Sequence, residues 1–424
     1  MSLRILPILL VCCALGRVQA QDLVLDGAHV LSEDGSSWRE GVSVHVERGR
    51  IRAIAAPGEI HAPAETKHVD LSGKWLVPGL IDLHTHLLLR PYDEMSWNDQ
   101  VLKESLELRT IRATVHARAT LDAGFTTIRE LGTEGAGFAD VALRDSIARG
   151  IVPGPRVFAA TRAMVATGCY GPAGFDPRWS MPIGAQVADG VDGVRKAVRE
   201  QIAAGADWIK YYADYRRRPG DRSTPTFAQD EVDAIVAEAR SAGLPVAAHA
   251  STSEGILRAV RAGVTTIEHG TEADDAALRA MHDARVVLCP TLAAGEAIML
   301  QSGANPAVAK RLDIARITFQ RALAAGVTIA CGSDAGVFAH GHNAREIELM
   351  VEFGMSNADA LRAATAVAAR VLGHEADLGR VSVDHVADLV ALDADPLSDI
   401  TALRRIRLVV KDGRIAADPS SPRK

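Results

Sequence analysis

The pair His84 and His86 is the feature that most constrains what this chain can fold into. An apolar stretch over residues 75–80 leads into the pair, which is typical of a buried strand that ends at polar residues. In an extended strand the side chains at positions i and i+2 point to the same face, so the two imidazoles converge on one point. Histidine is the commonest metal ligand, and a metal ion readily holds two neutral imidazoles at one strand end. A His-x-His pair also occurs by chance on surfaces, so the interpretation depends on the rest of the chain.

The length and the charge of the chain limit its class. With 424 residues it can hold two or three average domains or one large barrel with an appendage. The formal net charge is −6, and acidic and basic residues are interspersed. The sequence therefore lacks the clusters of basic residues that are typical of nucleic-acid-binding proteins. We therefore expect a globular protein whose partner is a small molecule and not a nucleic acid.

Residues 1–20 are predicted to be a cleaved secretory signal peptide. Arg4 precedes an apolar segment over residues 5–15, and small residues ending at Ala20 form a cleavage site. The apolar segment is too short for a convincing membrane span. A lipoprotein anchor on one of the cysteines in this segment is the alternative. We expect an exported protein, periplasmic or secreted, that is not attached to the membrane after cleavage.

Both ends of the chain carry the pattern of short strands. Residues 21–77 alternate apolar and polar side chains, and residues 380–424 repeat this pattern. Each region contains a glycine in a turn, Gly49 in the first and Gly413 in the second, where a hairpin needs a positive φ. We predict one small β domain built from both ends of the chain; two separate β caps are the alternative.

Between these regions, residues 78–379 alternate strand patterns with helix patterns. Eight strands are predicted, which is the number in a (β/α)8 barrel. Helices such as those over residues 228–242 and 307–325 separate many of them. In such a barrel the chemistry lies at the carboxyl ends of the strands. The predicted strands cover residues 81–86, 124–129, 157–161, 208–212, 245–249, 265–269, 286–291 and 328–334.

Polar residues lie at or near the carboxyl ends of several predicted strands. A histidine at a strand end is by itself more often an ordinary polar residue than a ligand. It is improbable that several such residues would lie by chance on the face of the barrel that carries His84 and His86. We therefore predict a reactive site on this face. Arg129, at the end of the second predicted strand, is interpreted as structural. The site candidates are Lys210, His249, His269 and Asp334.

With these motifs the chain resembles the amidohydrolase superfamily. Within it, the chain is similar to imidazolonepropionase-like and Xaa-Pro dipeptidase-like enzymes, whose exported members include ochratoxin-degrading amidohydrolases. The resemblance implies an α/β fold, a (β/α)8 TIM barrel over residues 78–379, flanked by a small β-sandwich made of residues 21–77 and 380–424. It rests on residues 78–86, 205–210, 267–270, 332–336 and 387–390, together with His249.

The resemblance also implies a centre of two divalent metal ions. Imidazole-rich ligation favours zinc. A lysine can join such a centre as a carbamate formed with CO2, because a free ammonium repels cations whereas a carbamate offers two anionic oxygens. By position, the ligands would be His84, His86 and Asp334 for one ion, His249 and His269 for the other, and carboxylated Lys210 between them.

Such a centre implies hydrolysis of an amide or peptide bond. Two ions about 3.5–4 Å apart share a hydroxide, since coordination lowers the pKa of water to about 7. The hydroxide attacks the amide carbonyl, and Asp334 takes its proton and delivers it to the departing nitrogen. An ester or a lactone would fit the same geometry.

Three side chains are predicted to contact the substrate. Tyr212 shares a strand face with Lys210 by alternation. Tyr170 lies in the loop after the third predicted strand, in a place where related sequences often carry a Gly-Gly-His pattern. In the loop after the eighth predicted strand, His340 is preferred over His342, because long loops on this face of a barrel carry specificity.

The sequence thus predicts an exported metallo-amidohydrolase. It would release a C-terminal amino acid from N-acyl amino acids or dipeptides, with ochratoxin A, a phenylalanine amide, as one candidate. A cyclic amidohydrolase of the imidazolonepropionase type or a lactonase is the alternative among enzymes. A metal-free scaffold relative is the alternative without activity, and the intact ligand set argues against it. By resemblance we expect a homo-oligomer.

Overall fold

The structure is a computed structural model that describes residues 22–176, 178–218, 220–303 and 305–419. The predicted signal peptide, residues 1–20, lies outside the described residues. Within the described ranges, no helix combines the length and the apolar character that crossing a lipid bilayer requires.

Strands and helices alternate through the middle of the chain, and strands dominate both of its ends. The strands are β1 (Leu23–Leu31), β2 (Trp38–Glu47), β3 (Arg50–Ala55), β4 (Lys67–Asp70), β5 (Trp75–Pro78), β6 (Leu80–Thr85), β7 (Phe125–Glu130), β8 (Arg156–Ala159), β9 (Met164–Val165), β10 (Gln186–Val187), β11 (Ile209–Tyr212), β12 (Asp214–Tyr215), β13 (Thr224–Pro225), β14 (Val246–Thr252), β15 (Thr266–Glu272), β16 (Val287–Cys289), β17 (Leu389–Leu392), β18 (Ile406–Lys411) and β19 (Arg414–Ala417). The helices are α1 (Trp97–Lys103), α2 (Leu106–Asp122), α3 (Ala139–Ala148), α4 (Gly190–Ala203), α5 (Gln229–Ser241), α6 (Ser253–Ala262), α7 (Asp275–Ala284), α8 (Leu292–Gln301), α9 (Pro306–Ala324), α10 (Ala344–Glu352), α11 (Asn357–Ala363) and α12 (Ala366–Val371), with a 3-10 helix at Ile400–Arg404.

Strands from both ends of the chain lie in one mixed sheet. Its order is β19-β18-β17-β5-β1-β2-β3, and β4 also pairs with β1. The hairpin turns at its two ends meet at Ala387, whose N–H donates to the carbonyl of Gly49 and whose carbonyl accepts from Gly413. A Cβ on Gly413 would lie 2.5 Å from the Cα of Gly49, so this close approach requires glycine. The strand pairing thus joins strands from both ends of the chain in one sheet, and their buried side chains share one core.

The strands that follow form two parallel sheets. Their orders are β6-β7-β8 and β10-β9-β11-β14-β15-β16. Between β8 and β11, the carbonyl of Ala159 accepts hydrogen bonds from the backbone N–H groups of Asp207 and Trp208. Parallel strands put their carboxyl ends on the same edge, so the polar residues that follow β6, β14 and β15 come close together.

The segment predicted as the eighth strand, residues 328–334, forms isolated bridges in place of a regular strand. On one side, the carbonyl of Thr328 accepts from Leu288 in β16. On the other side, the carbonyl of Cys331 accepts from Leu83 in β6. Ile329 bridges Leu288 and Ala335 bridges Thr85, so two isolated bridges stand in place of the regular strand predicted over residues 328–334.

Helices cover the outer faces of the parallel strands. In α6, Ile256 and Ala259 are fully buried against the core. The hydroxyl of Thr252 caps this helix by accepting from the N–H of Gly255, and Gly263 ends it with φ of 89°. Packing of the apolar side of α6 thereby holds β14 in place, and with it His249.

Candidate metal centre

His84 and His86 lie at the carboxyl end of β6, and the Nδ1 atom of each ring makes a hydrogen bond. The Nδ1 of His84 lies 2.9 Å from Oε2 of Glu268, and the Nδ1 of His86 donates to the carbonyl of Gly132 at 2.8 Å. The Nε2 atoms then face Asp334, whose Oδ1 lies 3.7 Å from His84 and 3.2 Å from His86. A ring held through Nδ1 offers Nε2 as its free donor atom.

A buried carboxylate positions Asp334 beside the two histidines. Oδ1 of Asp82 accepts from the backbone N–H of His84 and of Ser333, both at 3.0 Å. Its Oδ2 accepts from the Ser333 hydroxyl at 2.5 Å and from the Asn343 side-chain amide at 2.8 Å. Asp82 therefore joins the end of β6 to the segment that carries Asp334.

His249 and His269 come from the neighbouring strands β14 and β15. Their ring centroids are 4.5 Å apart, and the ring of His269 is 5.2 Å from that of His84. The Thr291 hydroxyl lies 2.6 Å from Nδ1 of His269 and holds this ring. The ring of Tyr212 stacks on His249 at 4.4 Å. Four imidazoles thus face one another across the carboxyl ends of three strands.

Lys210 lies in β11, next to the histidines. Its side chain is 1% exposed, and among the described residues its ammonium has no hydrogen bond and no ion pair. Burial lowers the pKa of Lys210, while the charge of Glu268 opposes the shift. Nζ of Lys210 lies 5.7 Å from the ring centroid of Tyr212. A buried ammonium without a hydrogen bond or an ion pair is unfavourable, so this position favours a neutral amine or a modified one.

Burial leaves most of the imidazoles at the site neutral. Burial lowers the pKa of His84 and of His249, and it lowers the pKa of His269 to about 4. Burial would also lower the pKa of His86, but the hydrogen bond and the charge of Asp334 raise it to about 9. Against its own burial, the histidines hold the pKa of Asp334 well below its usual range. Neutral imidazoles and an ionised carboxylate are the forms that bind metals.

Ligand atoms of His84, His269 and Asp334 lie within 4.8 Å of one another, which is close enough for one ion. The nitrogens and oxygens they offer are ordinary ligands of zinc and of related divalent ions. These three residues are therefore a candidate metal site, with His86 and His249 beside them.

The site opens into a cavity of about 570 Å³. Both tyrosines predicted to contact the substrate line it, Tyr212 stacked on His249 and Tyr170 packed beside Tyr212, with ring centroids 4.4 Å apart. The hydroxyl of Tyr170 donates to Oε2 of Glu134 at 2.5 Å. The same carboxylate oxygen accepts from the indole N–H of Trp97 at 2.8 Å, which fixes this wall of the cavity.

His340 is not among the residues that line the cavity, and its contact with substrate stays a prediction. Its Nε2 donates to the carbonyl of Leu89 at 3.0 Å, and its ring stacks on His116 at 4.2 Å. The reason is the course of the loop after Asp334, where the carbonyl of Val337 accepts from the N–H of Tyr92. The loop therefore packs behind the segment after β6, and the imidazole faces this segment.

Several functional candidates are missed by the sequence analysis. Glu268 lies between His84 and Arg129. Its Oε1 accepts from the guanidinium of Arg129 at 2.8 Å, and the side chains of Glu268 and Arg129 are both fully buried. A carboxylate directly before the predicted ligand His269 was the signal that could have indicated Glu268. Glu134 lies in a loop with φ of 52°, and no local pattern indicates it. Arg129 has the structural role expected of it.

Comparisons with known proteins agree on one family. The model of the amidohydrolase family matches residues 75–416. Ochratoxinase of Aspergillus niger is 32% identical over 336 residues, which are 72% of this chain and 66% of that protein, so the match spans just under two thirds of that relative. Imidazolonepropionase of Maricaulis maris is 26% identical, over 84% of this chain and 87% of that protein.

The fold agrees with solved structures as well. A crystal structure of a Xaa-Pro dipeptidase with bound methionine has a TM-score of 0.84 and 32% identity, and covers 93% of this chain and 99% of that one. The family and these neighbours imply a TIM barrel with an additional domain, and they confirm the resemblance found in the sequence. The chain belongs to the amidohydrolase family.

Proposed function

We propose that this protein is a metal-dependent amidohydrolase that cleaves an amide bond and releases a C-terminal amino acid from N-acyl amino acids or dipeptides. The observation that carries the proposal is the convergence of four imidazoles and the carboxylate of Asp334 on one cavity. Ochratoxin A is a candidate substrate, because the ochratoxinase of Aspergillus niger is among the relatives.

The donor set fits two divalent ions. Three of the four histidines are held neutral by burial, and Asp334 is ionised. Lys210 supports the fit independently, because it is buried and its ammonium contacts only the ring of Tyr212 at 5.7 Å among the described residues, and reaction with CO2 would turn it into an anion suited to that position. The residues that would hold the ions are His84, His86, His249, His269, Asp334 and carboxylated Lys210.

Bound ions would polarise the amide carbonyl and supply an activated water. The residues of the chain do the remaining work. Glu268 and the carbonyl of Gly132 fix the rings of His84 and His86 through their Nδ1 atoms. Asp334 accepts the proton of the attacking water at a carboxylate oxygen and returns it to the departing nitrogen. Tyr170, Tyr212 and the surrounding walls limit the access of bulk water.

The wall opposite the tyrosines suits an apolar group. It is built by the consecutive helices α8 and α9, which follow β16 and contribute Leu292, Ile298 and Leu312 to the cavity. Burial of an aromatic or aliphatic acyl group or side chain against this wall is favourable by roughly 25 cal/mol per Å². This wall supports an apolar acyl amino acid as substrate.

A cyclic amide is the second candidate substrate. The likeness to an imidazolonepropionase over 84% of the chain favours it. The same arrangement of donors and proton carrier would open a ring amide or a lactone, because attack at the carbonyl is common to these reactions.

We also propose that the two parallel sheets form a single closed (β/α)8 barrel, with residues 328–335 in the place of the eighth strand. Backbone hydrogen bonds from this segment to Leu288 on one side and to Leu83 on the other support the closure. Amide hydrogen exchange tests it: the N–H groups of Leu83 and Leu288 should exchange as slowly as those inside β14.

The decisive experiment measures free amino acid released by the zinc-loaded protein, with the metal counted per chain. The panel holds N-acyl amino acids, X-Pro dipeptides and ochratoxin A, with ring amides and lactones as a separate arm. Two ions per chain with cleavage of one linear group supports the proposal. Two ions with cleavage of the ring compounds alone moves the assignment to the second candidate, and failure to bind metal overturns both.

Lys210→Met tests the role of the lysine separately from turnover. Removal of a buried charge should raise the thermal stability of the metal-free protein, while metal content should fall below that of the wild type. Lys196→Met is the control, because the side chain of Lys196 is 78% exposed. Undiminished metal binding by Lys210→Met contradicts the assignment of Lys210 as a ligand.

A further inference from the structure

Two arginines at the cavity have no acidic partner. Arg216 and Arg311 line it, and among the described residues neither guanidinium makes an ion pair or a hydrogen bond to a side chain. The acidic residues that line the same cavity, Glu134 and Asp334, are engaged with tyrosine, tryptophan and histidine deeper in the site. The two positive charges at this opening are therefore uncompensated.

Arg216 is close to the candidate metal centre. The carbon at the centre of its guanidinium lies 5.0 Å from the ring centroid of Tyr215. That ring lies 6.0 Å from the ring of His249. A single aromatic ring thus separates the guanidinium from a proposed ligand, and the cation–π contact limits the positions that the guanidinium can take.

Arg311 approaches from a different element. It lies in α9, in the helical wall, while Arg216 follows β12. Both residues also line an adjoining cavity of about 1070 Å³, together with Arg217, Arg218 and Arg222. The acidic residues in the lining of that second cavity are Asp221 and Glu272. The approach to the site is therefore positively charged, although the chain as a whole has a net charge of −6.

We infer that Arg216 and Arg311 bind a carboxylate of the substrate, so that the site selects acids over neutral amides of the same shape. This inference rests on the proposed function. A guanidinium presents a planar pair of donors that matches a carboxylate. Both arginines line the cavity that holds the candidate metal centre, so a carboxylate bound by them would lie in the same cavity as the scissile amide.

The carboxylate could belong to the released amino acid or to the acyl group, and matched probes separate the two sources. O-benzyl-L-phenyllactic acid carries the acid on the amino-acid side, and O-(4-carboxybenzyl)-L-phenyllactamide carries it on the other side. O-benzyl-L-phenyllactamide is the neutral reference. An uncharged ether replaces the scissile amide in all three, so binding to the zinc-loaded protein can be measured by calorimetry without hydrolysis at that position.

The expected result is that the wild type binds one of the two acids about 10-fold or more tightly than the neutral reference, as hydrogen bonds to a charged group allow. Arg216→Gln and Arg311→Gln should each lose most of this preference and keep the affinity for the neutral probe. Arg218→Gln is the matched control, since Arg218 lines the adjoining cavity alone. The preferred acid identifies the side that carries the charge.

Equal binding of all three probes by the wild type would overturn the inference, and so would a preference for an acid that survives when Arg216 and Arg311 are both replaced by glutamine. An equal loss of the preference in Arg218→Gln would also overturn it, because that result would indicate a general electrostatic attraction in place of a direct contact. Failure of the proposed function looks different. In that case the preference for an acid depends on Arg216 and Arg311, and none of the amides in the substrate panel is cleaved.

Discussion

Nδ1 of His84 lies 2.9 Å from Oε2 of Glu268, and both side chains are buried. The other oxygen of this carboxylate accepts from Arg129, and Nδ1 of the imidazole donates to Oε2. This arrangement fixes the tautomer that leaves Nε2 facing the cavity. Glu268 directly precedes His269, so one strand supplies both a candidate ligand and the group that orients another.

Glu268→Gln should weaken metal binding about 10- to 100-fold, because His84 loses the partner that fixes its tautomer. It should also destabilise the fold by about 3–5 kcal/mol, since Arg129 is left buried without a counter-charge. Competition with a chromophoric chelator and urea unfolding measure the two effects. Glu272→Gln, on the exposed end of the same strand, is the control. Metal affinity equal to that of the wild type would contradict the orienting role.

Asp334→Asn should lower kcat by about 10²- to 10⁴-fold, because the amide cannot carry the proton to the departing nitrogen. Most of the metal should remain bound, as the four imidazoles are unchanged. The measurements are steady-state kinetics on the best substrate of the panel and metal counts per chain. Asp192→Asn, at an exposed position of α4, should behave as the wild type. Turnover close to normal in Asp334→Asn would exclude the proton-carrier role.

The stability of the protein should fall from about pH 5 to pH 8 because of Glu346. Burial raises the pKa of this carboxyl from 4.5 to about 8, above its value in the unfolded chain. The stability contributed by its bound proton is therefore complete below about pH 4.5 and is lost as the pH rises through 8. Thermal unfolding across this range measures the slope.

Glu346→Gln should make that slope shallower, because glutamine resembles the protonated carboxyl and can still accept from the N–H of Ala293. Part of the slope should remain, since burial also raises the pKa of Glu130 to about 8. Glu375→Gln, at an exposed position, should leave the slope unchanged. An equal slope in wild type and Glu346→Gln would assign the pH dependence to another group.

His340→Ala should cost about 1–3 kcal/mol of stability, because it removes the hydrogen bond to the carbonyl of Leu89 and the stack on His116. KM should stay close to that of the wild type, since the ring lies outside the cavity. Urea unfolding and steady-state kinetics separate the two effects. His342→Ala, at an exposed loop position, should change neither quantity. A rise in KM without a loss of stability would support the predicted substrate contact.

Periodicity along the chain predicted much of the architecture. Alternating apolar residues marked the strands at both ends, and a helix such as α5 was predicted within one residue at each end. Polar residues at strand ends singled out His249 and His269, because neighbouring parallel strands end on the same side. These predictions depend on local spacing, which a single sequence displays.

Backbone conformation at the site was not predictable in this way. Residues other than glycine that adopt a positive φ are concentrated there, and a left-handed backbone leaves no reliable trace in residue type when the surrounding structure imposes it. The cavity-lining residues concerned are Glu134, Tyr170, His269, Thr291 and Asp334.

The sequence by itself determined the family, the order of strands and helices, and the set of metal-ligand candidates, because these follow from spacing and residue type. Only the tertiary structure decided that Glu268 orients His84, that His340 packs behind the site, and that Arg216 and Arg311 face the cavity. Each of these depends on a contact between residues far apart in the chain, and the path of a loop fixes such contacts through packing that no local pattern records.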